Sequence, residues 1–219
     1  MHIQAPNLFQ VAKEAYARMS GTPSDRSPWG IDALVVILFA ATALEALINE
    51  VADLACTASL EDPPSVKAFG DLMKEIDKSR VSIEGKYLLA KWVLSGQAYD
   101  KGAQPYQDFT MLIKLRNAVA HVKAFEDVRF EEETGISIQL PKPVRNLEAK
   151  NILAVHDVPE DLKHVPMSVS WIGLVCTRAV GRWACNAASA IALSLVEAVP
   201  DCSFKCKLGW VVSNFQPVQ

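Results

Sequence analysis

Apolar side chains recur at helical spacing over most of the 219-residue chain. The stretch over 32–58 is apolar nearly all round in its first half, which is typical of a helix at the centre of a bundle. The stretch over 167–199 contains Gly181, and we expect its helix to be interrupted near that glycine. The pattern predicts a mainly α-helical bundle, with helices over 7–19, 32–58, 63–80, 84–94, 105–122 and 167–199.

A different pattern follows the fifth predicted helix. Apolar residues alternate with polar ones on both sides of a Glu-Thr-Gly sequence that ends at Gly135, which predicts a small β-hairpin over 128–140. Polar residues then dominate, with one helical turn expected near 147–154, and the segment after Pro200 has no clear period. The simplest organisation is one domain, with a core over 30–124 and 167–199 and an insertion over 125–166 before the last long helix.

Charge and composition limit the classes of function. Half of the residues are hydrophobic, so the chain should fold into a packed core. The formal net charge is −3, so no overall positive field attracts nucleic acid. Binding of RNA would therefore require a local basic cleft, which a dimer could build across its interface.

The five cysteines predict neither a metal site nor a disulfide framework. Cys56, Cys176 and Cys185 lie in apolar helical stretches, where free buried thiols are expected. Cys202 and Cys206 form a C-x-x-x-C pair without a second pair or a nearby histidine to complete a zinc site. The first ten residues lack the apolar core of a signal peptide, and together these features indicate a reducing cytoplasm.

Two apolar runs have to be compared with the length of a membrane span. The uncharged run over 33–44 is bounded by Asp32 and Glu45, well short of the ~20 residues that a span requires. The later run over 165–199 is interrupted by Arg178 and Arg182. We therefore expect buried helices and no membrane association.

The sequence LRNAVAHV, residues 115–122, contains the side chains of this chain that are best suited to catalysis. It places Arg116, Asn117 and His121 within about one and a half helical turns. Arginine is permanently charged and binds phosphate oxygens bidentately, and histidine exchanges a proton near neutral pH. A base for the 2′-hydroxyl and a cation for the phosphate are the groups that RNA self-cleavage requires.

The RNAVAH sequence resembles the Arg-polar-x-x-x-His motif of HEPN domains, a family named for nucleotide binding in higher eukaryotes and prokaryotes. The resemblance covers about residues 30–124, including an upstream apolar helix with Glu45 and Asn49, and extends to the last helix by architecture only. Many HEPN domains are endoribonucleases that need no metal, in toxin–antitoxin, phage-defence and RNA-processing systems. The resemblance implies an HEPN-like helical bundle, an RNA substrate and no cofactor.

The resemblance also implies roles for the three motif residues. His121 would deprotonate or orient the 2′-hydroxyl, Arg116 would hold the scissile phosphate, and Asn117 would orient the substrate or His121. The motif helix carries a second apolar arc, Tyr106, Ile113 and Ala120, that another helix of the chain or a second subunit could cover. HEPN resemblance favours the second subunit, and so a homodimer with a composite cleft.

Two further polar sets have both a structural and a functional interpretation. Glu45 and Asn49 stand one turn apart, either as a hydrogen-bonded pair that fixes helix register or with Glu45 orienting His121 or Arg116. Arg178, Arg182 and Asn186 recur every four residues on the final helix. They form either its solvent face or a track for the RNA backbone.

These observations favour a metal-independent endoribonuclease, an enzyme that would serve as the toxin of a toxin–antitoxin or phage-defence pair. Its partner would then be an antitoxin such as a small nucleotidyltransferase. One alternative is a non-catalytic HEPN module that binds a nucleotide or a protein. Another is an unrelated helical protein in which the motif is coincidental.

Overall fold

Helices make up most of the computed structural model, which describes residues 3–19, 31–121, 141–153 and 171–219, and the backbone alone of 128–131 and 135–138. The helices are α1 Ala5–Arg18, α2 Ile31–Cys56, α3 Pro64–Lys78, α4 Ile83–Ser95, α5 Tyr106–Ala120, α6 Lys142–Ala149, α7 Trp171–Val175, α8 Arg178–Ala198 and α9 Ser203–Val211. The prediction of a mainly α-helical bundle is confirmed. The predicted turn near 147–154 is instead α6, which begins earlier because Pro143 suits a first helical turn.

Helix α2 lies at the centre of the bundle. It packs against α1, α3, α4, α5, α8 and α9. Its 26 residues contain no glycine or proline, and its buried side chains follow one another along the whole length from Ala33 to Ala55. The central position predicted from its apolar first half is therefore confirmed.

The first helix begins two residues before the predicted start at Asn7. Its N-terminal backbone amides are satisfied by a residue distant in sequence: Glu50 of α2 accepts hydrogen bonds from the N–H groups of Gln4 and Ala5. A carboxylate at a helix N-terminus also complements the helix dipole. The start of α1 is therefore set by its packing on α2.

The last long apolar stretch is interrupted, but not at Gly181 as predicted. The break falls at Cys176 and Thr177, where the Thr177 side chain accepts a hydrogen bond from Val180 N–H and caps a new helix, α8. Gly181 is buried inside α8 at its contact with α1, and a Cβ there would stand 3.1 Å from Met19 Sδ. The glycine thus permits close helix packing and does not break the helix.

The C-terminal segment, which showed no clear period, forms α9. Asp62, in the loop between α2 and α3, accepts hydrogen bonds from Phe204 N–H at 2.9 Å and from the hydroxyl of Ser203. The Phe204 hydrogen bond is the largest cause that holds the pKa of the Asp62 carboxyl well below its usual range. Asp62 therefore caps α9 from outside the helix, as Glu50 caps α1.

Two short strands lie in the segment for which the sequence predicts a hairpin. They are β1, Val128–Glu131, and β2, Gly135–Ile138, and they pair antiparallel with Val128 opposite Ile138. The rest of the predicted insertion over 125–166 lies outside the described residues, except 141–153.

Candidate functional site

Helix α5 carries the Arg-polar-x-x-x-His motif, and its apolar stripe faces the bundle interior. Phe109, Leu112 and Leu115 are fully buried, and Val119 is half-buried. Val122, the last member of the predicted stripe, lies outside the described residues. The stripe fixes the rotation of α5, because turning the helix would expose these side chains to water.

The second apolar arc of α5 is covered by the same chain. Tyr106 and Ile113 are buried, and the Tyr106 hydroxyl donates to the carbonyl oxygen of Glu84 at 3.3 Å. Ala120 alone among the three arc residues is exposed. Two of the three arc residues are therefore covered within the chain, as one of the two predicted arrangements requires, and the homodimer stays a prediction.

The three motif residues occupy the C-terminal end of α5. Asn117 and His121 are exposed, whereas the Arg116 side chain is 24% exposed. The helix ends at Ala120, and His121 N–H still donates to the carbonyl oxygen of Asn117 at 3.0 Å. The histidine is thus tied to the helix by its backbone while its ring is accessible to solvent.

Arg116 is held by a carboxylate of the central helix. Its Nη2 donates to Glu45 Oε2 at 3.1 Å, and the Glu45 side chain remains 51% exposed. Its Nε is buried and has no hydrogen-bond partner among the described residues. The ion pair restrains the guanidinium and leaves its other amino group, Nη1, without a hydrogen bond to any part of the chain that the structure describes.

Asn49 contacts a different cation. Lys86 of α4 donates from Nζ to Asn49 Oδ1 at 2.8 Å and to Asp77 Oδ1 at 2.6 Å. No hydrogen bond joins Glu45 to Asn49 within the described parts of the chain. Of the two interpretations of this pair, the structure therefore favours contact between Glu45 and Arg116 over an internal pair on α2.

Lys86 is the residue of this cluster that sequence analysis did not single out. It stands in the short apolar segment EGKYLLAKWVL, where a lysine is ordinarily a solvated position. Its side chain is only 14% exposed, and its ammonium group donates to Asn49 of α2 and to Asp77 of α3. The one available signal was a lysine among apolar residues in α4, which does not identify its partners.

Arg178 and Arg182 lie on the exposed side of the first turns of α8. The Arg178 guanidinium stands 5.1 Å from the ring centroid of Tyr16, within the range of a cation–π contact. Asn186, the third member of this stripe, accepts a hydrogen bond from Val218 N–H. No hydrogen bond or ion pair joins these arginines to the motif residues in the described segments, so Asn186 has a structural role and the arginines face solvent.

The cysteines are free thiols in differing environments. Burial raises the pKa of Cys176 to about 11 and is the largest cause that raises the pKa of Cys185 to about 12, so both remain protonated at neutral pH. Cys206 is exposed. Among the described residues, no group of three or more His, Cys, Asp or Glu side chains is placed to hold a metal ion.

Helices α2 and α8 are long and apolar enough to cross a membrane when judged by length and composition alone. Half of the most apolar window of α2 and 61% of that of α8 are buried within the chain. Core helices of bundles meet the same criteria, so these helices are weak evidence for a membrane protein.

No protein-family model, curated protein or solved structure matches this chain.

Proposed function

We propose that this protein is a metal-independent endoribonuclease of the HEPN type, with an HEPN-like bundle and a hairpin insertion between α5 and α8. The observation that carries the proposal is the arrangement at the end of α5. An exposed imidazole and an exposed amide follow a guanidinium that a carboxylate already orients. A restrained cation and an accessible base at the same end of one helix suit phosphodiester chemistry.

The proposed reaction is an internal transesterification. His121 accepts the 2′-hydroxyl proton as the 2′ oxygen bonds to the adjacent phosphorus, and the bond from phosphorus to the 5′ oxygen breaks. Arg116 binds the non-bridging oxygens and stabilises their developing charge, and Asn117 orients the substrate or His121. The departing oxygen takes a proton from water. The products carry a 2′,3′-cyclic phosphate and a 5′-hydroxyl.

Glu45 has a supporting role in this proposal. Through its bond to Nη2 it fixes the plane of the Arg116 guanidinium and leaves Nη1 to bind phosphate. Arg178 and Arg182 would contact the RNA backbone at a distance from the cut. Because the net charge is −3, such local cations must supply the attraction for RNA.

The proposed assembly is a homodimer that uses the polar end of α5. Lys114, Asn117 and His121 are exposed along one side of that helix. Isologous packing along this side would bring two copies of the motif into one cleft. The proposed setting is a cytoplasmic toxin with an antitoxin partner, and an adjacent gene for a small nucleotidyltransferase would support it.

A second candidate function is a non-catalytic module that binds a nucleotide or a protein. The Arg116–Glu45 ion pair and the buried Nε favour it, because an arginine used to join α5 to α2 need not touch a substrate. In that case Arg116 stabilises the fold, and the exposed Asn117 and His121 contact the ligand.

The deciding experiment measures RNA cleavage by the purified protein in the presence of EDTA. We expect cleavage that leaves a cyclic phosphate, with His121→Ala lowering the rate by roughly 10²–10⁴-fold. Arg116→Lys keeps the charge but removes the bidentate geometry, so we expect it to remain strongly impaired. Expression of the wild type, but not of these variants, should slow the growth of a host without antitoxin.

Lys67→Ala is the matched control, because it removes an exposed cation from α3, outside the motif helix and the proposed dimer interface. It should retain cleavage. If wild type cleaves no RNA, or if the His121 and Arg116 variants remain as toxic as wild type, the nuclease proposal is wrong and the non-catalytic module is the better account.

A further inference from the structure

Glu45 and Asn49 present a hydrogen-bond acceptor beside a donor on the exposed side of α2. From this juxtaposition we infer that the two residues bind the Watson–Crick edge of a guanine base. The inference rests on the proposed function, because it assigns the base of the ribonucleotide whose phosphate Arg116 would hold. It adds base selection by α2 to the phosphate chemistry of α5.

Lys86 determines which end of the Asn49 amide faces outward. An ammonium group has only donors, so the amide oxygen must face Lys86 Nζ, 2.8 Å away. The Asn49 amino group is then directed away from the lysine. Because Lys86 is mostly buried and Asp77 also accepts from it at 2.6 Å, this orientation is held firmly.

Glu45 provides the acceptor. Its Oε2 accepts from Arg116 Nη2, while Oε1 has no hydrogen-bond partner in the segments that the structure describes. Half of the side chain is exposed. The arginine therefore holds a carboxylate that still has vacant acceptor positions on its solvent side.

The two side chains also stand at a suitable separation. Residues four apart on a helix are neighbours on its surface, with about 5–6 Å between their Cβ atoms. That separation is comparable to the width of a base edge. A base lying across Glu45 and Asn49 would have its phosphate close to Arg116, which contacts Glu45 directly.

Guanine is the base whose edge fits this order of groups best. Its N1–H and 2-amino group can both donate to the carboxylate of Glu45, while O6 accepts from the amino group of Asn49. Uracil offers O4 and N3–H but lacks the second donor. Adenine and cytosine place a ring acceptor opposite the carboxylate, which is repulsive. The expected order of affinity therefore begins with guanine and ends with adenine and cytosine.

The test measures binding of mononucleotides to the full-length protein by titration of its backbone amide NMR signals. The probes are 5′-GMP, 5′-IMP, 5′-UMP and 5′-AMP, and IMP lacks only the 2-amino group of GMP. We expect GMP to bind roughly tenfold more tightly than AMP, as for one good bidentate base contact, with IMP between them. The shifted signals should include those of Glu45 and Asn49.

Substitutions then assign the preference to the two residues. Glu45→Gln removes one acceptor at constant shape, and Asn49→Asp turns the donor into an acceptor that repels O6, so each should abolish the preference for GMP. Lys86→Met should weaken the preference without touching the base. Asp53→Asn is the matched control, because it removes an exposed carboxylate from α2 one turn beyond Asn49, and it should leave the preference intact.

Equal affinities for GMP and AMP, no binding of GMP at millimolar concentration, or a GMP preference that survives Glu45→Gln would each overturn the inference. RNA cleavage separates this outcome from the fate of the nuclease proposal. A guanine preference without cleavage supports the inference and contradicts the nuclease. Cleavage without a base preference contradicts the inference alone.

Discussion

The two halves of α5 have the same helical geometry but different environments. In the first half Tyr106, Phe109 and Leu112 are buried, and the Phe109 ring lies 4.6 Å from that of Tyr87 and 5.8 Å from that of Tyr106. In the second half Leu115 is buried, but Asn117 and the His121 that follows the helix are exposed. The first half anchors the helix in the bundle, and the second half presents polar groups to solvent.

The contrast shows how a rigid element can support an accessible site. Functional groups on a helix keep their positions when the same helix is packed firmly elsewhere. Lys150, the residue that follows α6, adds a polar contact at the anchored end, 2.6 Å from Asp108. We therefore expect substitutions of the buried side chains of the first half to lower the free energy of unfolding, and substitutions of the exposed Asn117 and His121 to lower activity.

The largest expected effect on stability comes from Phe109→Ala. The ring is fully buried between two tyrosines, so its loss leaves a cavity and should lower the free energy of unfolding by about 3–5 kcal/mol. Urea denaturation would measure the change. His121→Ala is the counterpart from the exposed half and should change stability by less than about 0.5 kcal/mol. A similar loss in both variants would contradict the division of α5 into an anchored and an exposed half.

The second expected effect is on the ionisation of buried tyrosines at alkaline pH. Burial is the largest cause that raises the pKa of Tyr99 and of Tyr106 from 10.0 to about 12. Their neutral forms are favoured in the fold, so this contribution to stability is complete below pH 10 and is lost as the pH rises through about 12. Tyrosinate absorbance should show this late ionisation, and Tyr106→Phe should remove one such group. Ionisation of all tyrosines near pH 10 in the folded protein would contradict this expectation.

The smallest expected effect comes from Lys150→Met, which tests the polar contact at the anchored end. The lysine also donates to Gln107 at 3.0 Å, but both charged side chains are partly exposed, so the variant should lose about 1 kcal/mol or less. Thermal unfolding would measure it, with Lys114→Met as a control that removes an exposed cation from α5 itself. A loss as large as that of Phe109→Ala would mean that α6 is a main support of α5.

Local patterns were sufficient for most helices and for the faces of α5. Apolar spacing predicted the segments of α1 to α5 within a few residues, and it predicted α2 as the central helix. Local patterns failed where a residue that is distant in sequence caps a helix. Asp62 caps α9 across 142 residues of sequence, and Glu50 caps α1 across 45. The cover of the second arc of α5 was left open between the same chain and a second subunit, because periodicity shows that a face is apolar but not which neighbour covers it.

The sequence by itself determined which residues share a helix face and where the Arg-polar-x-x-x-His motif stands, because those relations depend on neighbours three or four positions away. Only the tertiary structure decided that Glu45 contacts Arg116, 71 residues away, and that Asn49 contacts Lys86, 37 residues away. Such contacts depend on how α4 and α5 pack against α2. That packing is set by the sum of the buried apolar surfaces, so the sequence offered Glu45 three possible partners, Asn49, His121 and Arg116, without deciding among them, and did not suggest Lys86 for Asn49.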